Sequence, residues 1–261
     1  MKTCLSIAGS DPSGGAGIQA DIKTFSAHGC FGMSVITAVV AENTQRVISI
    51  LNVDTQIIKD QIDAIFEDID VHAVKVGMLA NTEIMCTIRE KLDEYMPVNI
   101  VIDPVMVAKG GQALMEREAL CILKNKIIPY ATILTPNIPE AEAITDIKIE
   151  SIEDMKKAAC VIFQMGAKNV LIKGGHLKDD PVDILYDGEK YFSYENKRIN
   201  TKNTHGTGCT LSSAIAANLA NGKSVETAVK NAKDYVTNAI KYNCEIGKGH
   251  GPTNHFYKWF K

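Results

Sequence analysis

Two common nucleotide signatures are missing from this chain. No Gly-x-Gly-x-x-Gly follows a strand-like run and no Gly-x-x-x-x-Gly-Lys-Ser/Thr occurs, which disfavours both a dinucleotide fold and a P-loop ATPase. Cys-x-x-Cys spacings are absent too: the seven cysteines stand alone at 4, 30, 86, 121, 160, 209 and 244, with no histidines at zinc spacing. They read as free thiols of a reducing, cytoplasmic compartment. Charge of one sign is not in excess. With 28 Lys and Arg against 31 Asp and Glu the formal net charge is -3, and no long basic run is present, so neither nucleic acid nor a membrane is the expected partner. No apolar stretch approaches the ~20 residues of a membrane span, and the opening Met1-Lys2-Thr3-Cys4-Leu5-Ser6-Ile7-Ala8 reaches a glycine-rich turn too soon for a signal peptide. Repeats, low-complexity segments and flexible linkers are likewise missing. The expected partner is a small solute.

What is present is apolar residue in quantity, 46% of 261, enough for one large core, and a single domain over 1–261 is expected. Short apolar runs at 3–8, 32–40, 73–76, 99–102, 133–135 and 169–172 predict strands. Amphipathic patterns at 16–28, 55–68, 81–95, 116–126, 151–164, 209–221 and 225–242 predict helices. The alternation implies an α/β fold, a doubly wound and mainly parallel sheet flanked by helices. Residues 183–197, with Asp187-Gly188 between Tyr/Phe-rich runs, predict a small antiparallel hairpin at the sheet edge.

Ligands of such sheets bind beyond the carboxyl ends of the strands. The polar and glycine clusters fall there, at 9–21, 77–79, 103–106, 136–140 and 173–176. The strongest local signal is Gly206-Thr207-Gly208-Cys209 ahead of a small-residue helix. Its backbone amides and the helix dipole suit an anion. Cys209, in the first helical turn, is expected to have a depressed thiol pKa and to act as base or donor. Asp21 offers a carboxylate to a substrate hydroxyl or amine. Asp103, before Pro104, suits Mg²⁺ held partly through water. Asn137 and Glu140 offer a second polar pair, or alternatively a helix capping box. His176 and His205 abut glycine turns and could line the site, whereas His28, His72 and His255 read as surface or core residues.

Taken in order, Gly9-Ser10-Asp11-Pro12-Ser13-Gly14-Gly15-Ala16-Gly17-Ile18-Gln19-Ala20-Asp21, Val74-Lys75-Val76-Gly77-Met78-Leu79, Asp103-Pro104-Val105-Met106, Leu134-Thr135-Pro136-Asn137-Ile138-Pro139-Glu140-Ala141-Glu142, the Gly206–Cys209 turn and Gly247-Lys248-Gly249-His250-Gly251-Pro252 span nearly the whole chain. Together they resemble the hydroxymethylpyrimidine/phosphomethylpyrimidine kinases of thiamine biosynthesis, within the ribokinase-like superfamily. The resemblance implies a ribokinase-like fold, ATP and Mg²⁺; the expected assembly is a homodimer. It further implies phosphorylation of 4-amino-5-hydroxymethyl-2-methylpyrimidine and then of its monophosphate. By position it places Gly9, Asp21, Val40, Glu42, Met78, Val105 and Cys209 around the pyrimidine, and Asp103, Asn137 and Glu140 on the Mg²⁺ and triphosphate side. Lys173, Thr207, Gly208 and Lys233 fall near the nucleotide. Glu42 stands where many relatives carry glutamine; a carboxylate only accepts, which suits an exocyclic amine beside a protonated ring nitrogen. The rival readings are a pyridoxal/pyridoxine kinase of the same fold and a non-catalytic pyrimidine-binding module.

Overall fold

The computed structural model describes residues 1–108, 111–116, 118–175 and 180–260. Strand β1 (Lys2–Ala8) lies parallel between β2 (Cys30–Ile36) and β5 (Ala73–Val76). Beyond β5 the parallel array continues through β6 (Ile100–Ile102), β7 (Ile133–Leu134) and β8 (Val170–Ile172). The expected edge hairpin follows: β9 (Val182–Tyr186) pairs antiparallel with β8, and β10 (Tyr191–Glu195) with β9. The full order is β10-β9-β8-β7-β6-β5-β1-β2. The chain therefore reverses its direction of growth at β1 and β5, the switch point at which open α/β sheets part to admit a ligand.

One predicted strand, 32–40, is two. Its second half, β3 (Ala38–Glu42), leaves the main sheet and pairs antiparallel with β4 (Val47–Asn52), a strand the sequence reading passed over. Thr37 makes the break. Its N–H donates to the Ala8 carbonyl at 3.0 Å, its hydroxyl donates to the Met78 carbonyl at 3.0 Å, and its carbonyl accepts from Val53 at 3.0 Å. The bond to Ala8 is the last rung on β1, and with its hydroxyl and carbonyl taken by Met78 and Val53, Thr37 ends the ladder and β3 turns off the main sheet.

Helices cover both faces. On one lie α1 (Gly17–Ala27), α7 (Thr207–Ala220) and α8 (Val225–Lys241), packed around Phe25, Leu211, Ile215 and Val229. On the other lie α2 (Thr55–Phe66), α3 (Thr82–Tyr95), α5 (Ile138–Thr145) and α6 (Ile152–Gln164), packed around Ile58, Ile62, Ile88 and Ile162. The predicted helix 116–126 is realised only in part: α4 (Ala119–Ile122) passes into a wider turn over Leu123–Ile127 and a tight one over Ile128–Tyr130, where Pro129 cannot supply an N–H. Helix α7 is buried all round from Thr210 to Ala220. That burial explains its Ala/Ser composition, since only small side chains let a helix sit between a sheet and two neighbouring helices. Among the described residues no helix is long and apolar enough to cross a membrane.

Candidate active site

Two glycine-rich turns far apart in sequence are fastened together at the switch point. The loop after β1 folds over the buried Asp11 carboxylate, whose Oδ1 accepts from Ser13 N–H (2.7 Å) and whose Oδ2 accepts from Gly15 N–H (2.9 Å) and Ala16 N–H (2.7 Å). His205 Nε2 sits 2.8 Å from the same Oδ2. Burial works against the Asp11 charge, but the bonds from His205, Ser13 and Ala16 prevail and hold its pKa at about 2. Next to His205, Gly206 caps α7 with φ of 75°. A Cβ there would overlap the Gly15 carbonyl, so glycine is required both by the left-handed backbone and by the docking of the two loops. The first intrahelical bond runs from Thr210 N–H to Gly206 O and Thr207 N–H donates to Thr204 O at 3.4 Å, which leaves the Gly208 and Cys209 amides of the turn at the carboxyl edge of the sheet.

Beside this turn lies a cluster of charge. Lys173, after β8, places Nζ 2.7 Å from Asp103 Oδ1 and 4.0 Å from Glu140 Oε2. Asp103 also accepts from the hydroxyls of Thr135 (3.3 Å) and Ser212 (3.4 Å). Gly208 packs against both charges: a Cβ there would lie 3.4 Å from Asp103 Oδ2 and 3.5 Å from Lys173 Nζ. Asp103, Glu140, Lys173 and Gly208 thus converge as the sequence reading expected. Burial lifts the Glu140 carboxyl to about 7, with Asp103 adding to the rise and Lys173 opposing it. Two buried carboxylates sharing one ammonium leave room in the charge balance for a cation, and their oxygens suit a hard divalent ion that keeps part of its water shell.

Other residues of the prediction support this cluster from one step back. Asn137 and Glu140 form the capping box of α5: Asn137 Oδ1 accepts from Glu140 N–H at 2.9 Å and Glu140 Oε2 from Asn137 N–H at 2.7 Å. Lys233 meets Asp183 at 2.5 Å, and the other oxygen of Asp183 accepts from Gly174 N–H at 2.9 Å. Lys233 therefore braces the Lys173 turn through Asp183. His176 lies outside the described residues.

Between the β1 loop, β5 and β3 opens a cleft. Gly9, Val40, Glu42, Met78, Val105 and Cys209 all line it, six of the seven residues placed there by sequence. The seventh is not on its wall. Asp21 is fully buried, with Oδ2 accepting from Ser6 Oγ (2.6 Å) and Lys75 Nζ (2.8 Å) and Oδ1 from Ser213 Oγ (2.6 Å). Its oxygens serve the interior between α1, β1 and α7, so the direct substrate contact expected of it is corrected. The Cys209 thiol departs from expectation as well. Burial pushes its pKa up to about 11, against the pull of Lys75 and the Gly17 amide, and the Asp21 and Asp103 carboxylates add to the rise. The helix N-terminus does not overcome that desolvation, and the thiol rests protonated at neutral pH.

Glu42 differs from its reading in the opposite sense. Burial, reinforced by Asp11 and opposed by His205, raises its carboxyl to about 7, so near neutrality a protonated form that both donates and accepts is available. Ligand atoms of Asp11, Glu42 and His205 lie within 4.8 Å of one another. Asp11, however, already uses both oxygens on its own loop and on His205, and the Asp11–His205 pair reads as a hydrogen-bonded clasp with Glu42 beside it rather than as part of a metal centre. Sequence reasoning also missed Lys75 and Leu114 on the cleft wall. Lys75 carried a readable signal, a lone charge in the otherwise apolar strand Ala73-Val74-Lys75-Val76.

Comparison with known proteins gives these features relatives. Residues 11–254 match the family model described as phosphomethylpyrimidine kinase. The hydroxymethylpyrimidine/phosphomethylpyrimidine kinase of Bacillus subtilis is 47% identical over 254 residues, covering 97% of this chain and 94% of that one. A thiamine biosynthesis bifunctional protein of Geobacter sulfurreducens is 50% identical over 252 residues, 96% of this chain but 51% of the relative, so the chain spans about half the length of that protein. Among solved structures, an ADP complex of Bacillus subtilis pyridoxal kinase superposes with a TM-score of 0.93 at 40% identity, covering 100% of both chains.

Proposed function

Because the chain belongs to the phosphomethylpyrimidine kinase family, we propose that it phosphorylates 4-amino-5-hydroxymethyl-2-methylpyrimidine with ATP, and then the resulting monophosphate, as one kinase unit in a single cleft. The observation that carries this reading is the convergence of Gly9, Val40, Glu42, Met78 and Val105 on a cleft that also holds Cys209, with the Gly206–Cys209 amides and the Asp103/Lys173 charges at its edge. Phosphoryl transfer needs positioning and charge stabilisation above all. In this reading the pyrimidine lies over the β1 loop with its hydroxymethyl group toward Cys209, and the Gly206–Cys209 amides receive the transferring phosphoryl group. Lys173 balances phosphate charge. Asp103 and Glu140 would hold Mg²⁺, which would supply neutralisation of phosphate charge. Release of ADP with each candidate alcohol tests the assignment: turnover on the hydroxymethylpyrimidine should exceed that on pyridoxal. The pyridoxal reading, which the likeness to the Bacillus subtilis pyridoxal kinase favours, would be adopted if the order were reversed. No ADP with either alcohol would leave a binding module.

Glu42 gives this reading a pH signature. An aminopyrimidine edge presents an N–H donor beside a ring acceptor. A protonated carboxyl matches both, because its carbonyl accepts and its O–H donates, whereas a carboxylate loses the second bond. With Glu42 titrating at about 7, the KM for the pyrimidine should rise as pH climbs from 6 to 9. Glu42→Gln, which keeps a donor and an acceptor at every pH, should flatten that profile. Glu42→Leu should weaken pyrimidine binding by about 1.5–3 kcal/mol and leave the KM for ATP nearly unchanged. Equal effects on both substrates would remove Glu42 from the pyrimidine edge.

Assembly and location complete the proposal. The outer face of the β3–β4 pair carries Val39, Ile48 and Leu51, which are 51%, 63% and 71% exposed, and Val39 pairs with Leu51 across the ladder. Such a patch on a small projecting sheet supports a homodimer. Sedimentation velocity should show a dimer that Leu51→Asp converts to monomer; a monomeric wild type would discard the interface. Seven free thiols support a cytoplasmic location.

A further inference from the structure

Lys75 lies fully enclosed between the sheet and α1, on the face of β5 opposite Val74 and Val76. Its Nζ is 2.8 Å from Asp21 Oδ2, and the hydroxyls of Ser6 and Ser213 hold Asp21 at 2.6 Å each, so neither member of the pair can swing away. A Cβ on Gly77 would come 2.8 Å from Nζ, and the chain leaves that space to the ammonium. As a stability device this arrangement is poor. Desolvating a lysine and an aspartate costs about as much as their attraction returns, and apolar residues of the same size would hold the sheet to α1 as well. What the pair does provide is a cation of fixed position on the wall of the cleft that also holds Cys209.

We propose that Lys75 is a positioning residue for Cys209: anchored by Asp21, its ammonium stabilises the thiolate that receives the proton of the acceptor hydroxyl. In that step the hydroxyl proton passes to the Cys209 sulfur as the oxygen–phosphorus bond forms and the bond between the γ-phosphorus and the leaving ADP oxygen breaks. The thiol later returns the proton to solvent, and Lys75 stays protonated throughout. Four charged side chains act on the thiol: the cations Lys75 from β5 and Lys173 after β8, and the carboxylates Asp21 from α1 and Asp103 after β6, with the Gly17 amide as a further donor. Cys209 and Lys75 line the same cleft, and Cys209 stands one helical turn before Ser213, whose hydroxyl meets the Asp21 carboxylate that holds Lys75, so the ammonium lies on the side of α7 that carries the thiol and acts to lower it. The catalytic consequence rests on the proposed function, but the charge coupling is measured without turnover.

The measurement is the pH dependence of Cys209 alkylation by iodoacetamide, resolved from the other cysteines by peptide mass spectrometry. Lys75→Met should shift the midpoint upward and slow alkylation at pH 9 about tenfold. Asp21→Asn, which removes a carboxylate and leaves the ammonium, should shift it downward and speed alkylation severalfold. Lys75→Arg should stay near wild type. Opposite directions for the first two variants separate charge coupling from disturbed packing, which would move both the same way. Shifts in one direction, or none, overturn the proposal. If Lys75→Met does not fold by thermal melting, the neutral Lys75→Gln takes its place, and unchanged or faster alkylation there overturns the proposal too. The expected shifts without loss of kcat in Lys75→Met would uphold the coupling while refuting the base role of Cys209.

Discussion

Replacing Cys209 with alanine should lower kcat by a factor of a hundred or more and leave the KM for ATP nearly unchanged. The thiol stands in the first turn of α7, on the wall of the cleft, where the acceptor hydroxyl meets the transferring phosphoryl group in the proposed arrangement. Losing one preorganised group of such a site costs on the order of 3 kcal/mol of transition-state stabilisation, roughly a hundredfold in rate. Because burial holds the thiol at about 11, the reactive thiolate is a small fraction at neutral pH and grows as pH rises. At saturating substrate, wild-type kcat should therefore climb between pH 7 and 9, while the residual rate of Cys209→Ala stays flat. The Glu42 effect opposes this in KM and leaves kcat alone, so the two groups are separable in one set of initial-rate data. Near-normal kcat in the alanine variant would remove Cys209 from the chemistry.

The parallel strands of the main sheet and most of the residues that line the cleft were legible because each carries its signal locally. An apolar run followed by Gly9, Gly77, Asp103 or Lys173 announces a strand end, and a parallel sheet gathers those ends on one edge whatever the loops do between them. What was not legible depends on distance in sequence or on burial. The bond from His205 to Asp11 joins residues 194 apart, and nothing near either one marks the other as partner. Asp21 was placed on the correct loop-helix unit but on the wrong side of it, since α1 turns that carboxylate inward to Ser6, Ser213 and Lys75. For Cys209 the helix position was read correctly and its charge was not: the dipole lowers a thiol, desolvation raises it, and only packing tells which effect is larger. Strand β4, Val47-Ile48-Ser49-Ile50-Leu51-Asn52, lacks the strict alternation of a half-buried strand because it pairs outside the main sheet.

Both phosphorylations should fail together when Asp103 is removed. The described residues hold one Gly206–Cys209 turn, and one Asp103/Lys173/Glu140 cluster packs against it through Gly208. A kinase with this single set must release its monophosphate or turn it in place, then present the new phosphate to a second ATP at the same amides. The monophosphate adds negative charge, which the amides at the N-terminus of α7 and the divalent cation that Asp103 and Glu140 would hold can meet beside Lys173, whose ammonium both carboxylates keep charged despite its burial. The cleft can thus accept the anion without a second site. Asp103→Ala leaves the buried Lys173 ammonium beside Glu140 alone and unsettles the charge that positions the phosphates; losing one partner of a buried pair costs roughly 3–5 kcal/mol. With the fold verified by thermal melting, product analysis over time should show wild-type enzyme forming monophosphate first and diphosphate later at excess Mg-ATP. Asp103→Ala should slow each conversion by a similar factor, on the order of a hundredfold or more. Cys209→Ala should follow the same pattern in its first step, and in its second wherever the acceptor phosphate occupies the place of the hydroxyl. A variant that abolished one conversion and spared the other, or wild-type enzyme that stopped at monophosphate, would require two sites where the proposed mechanism needs one.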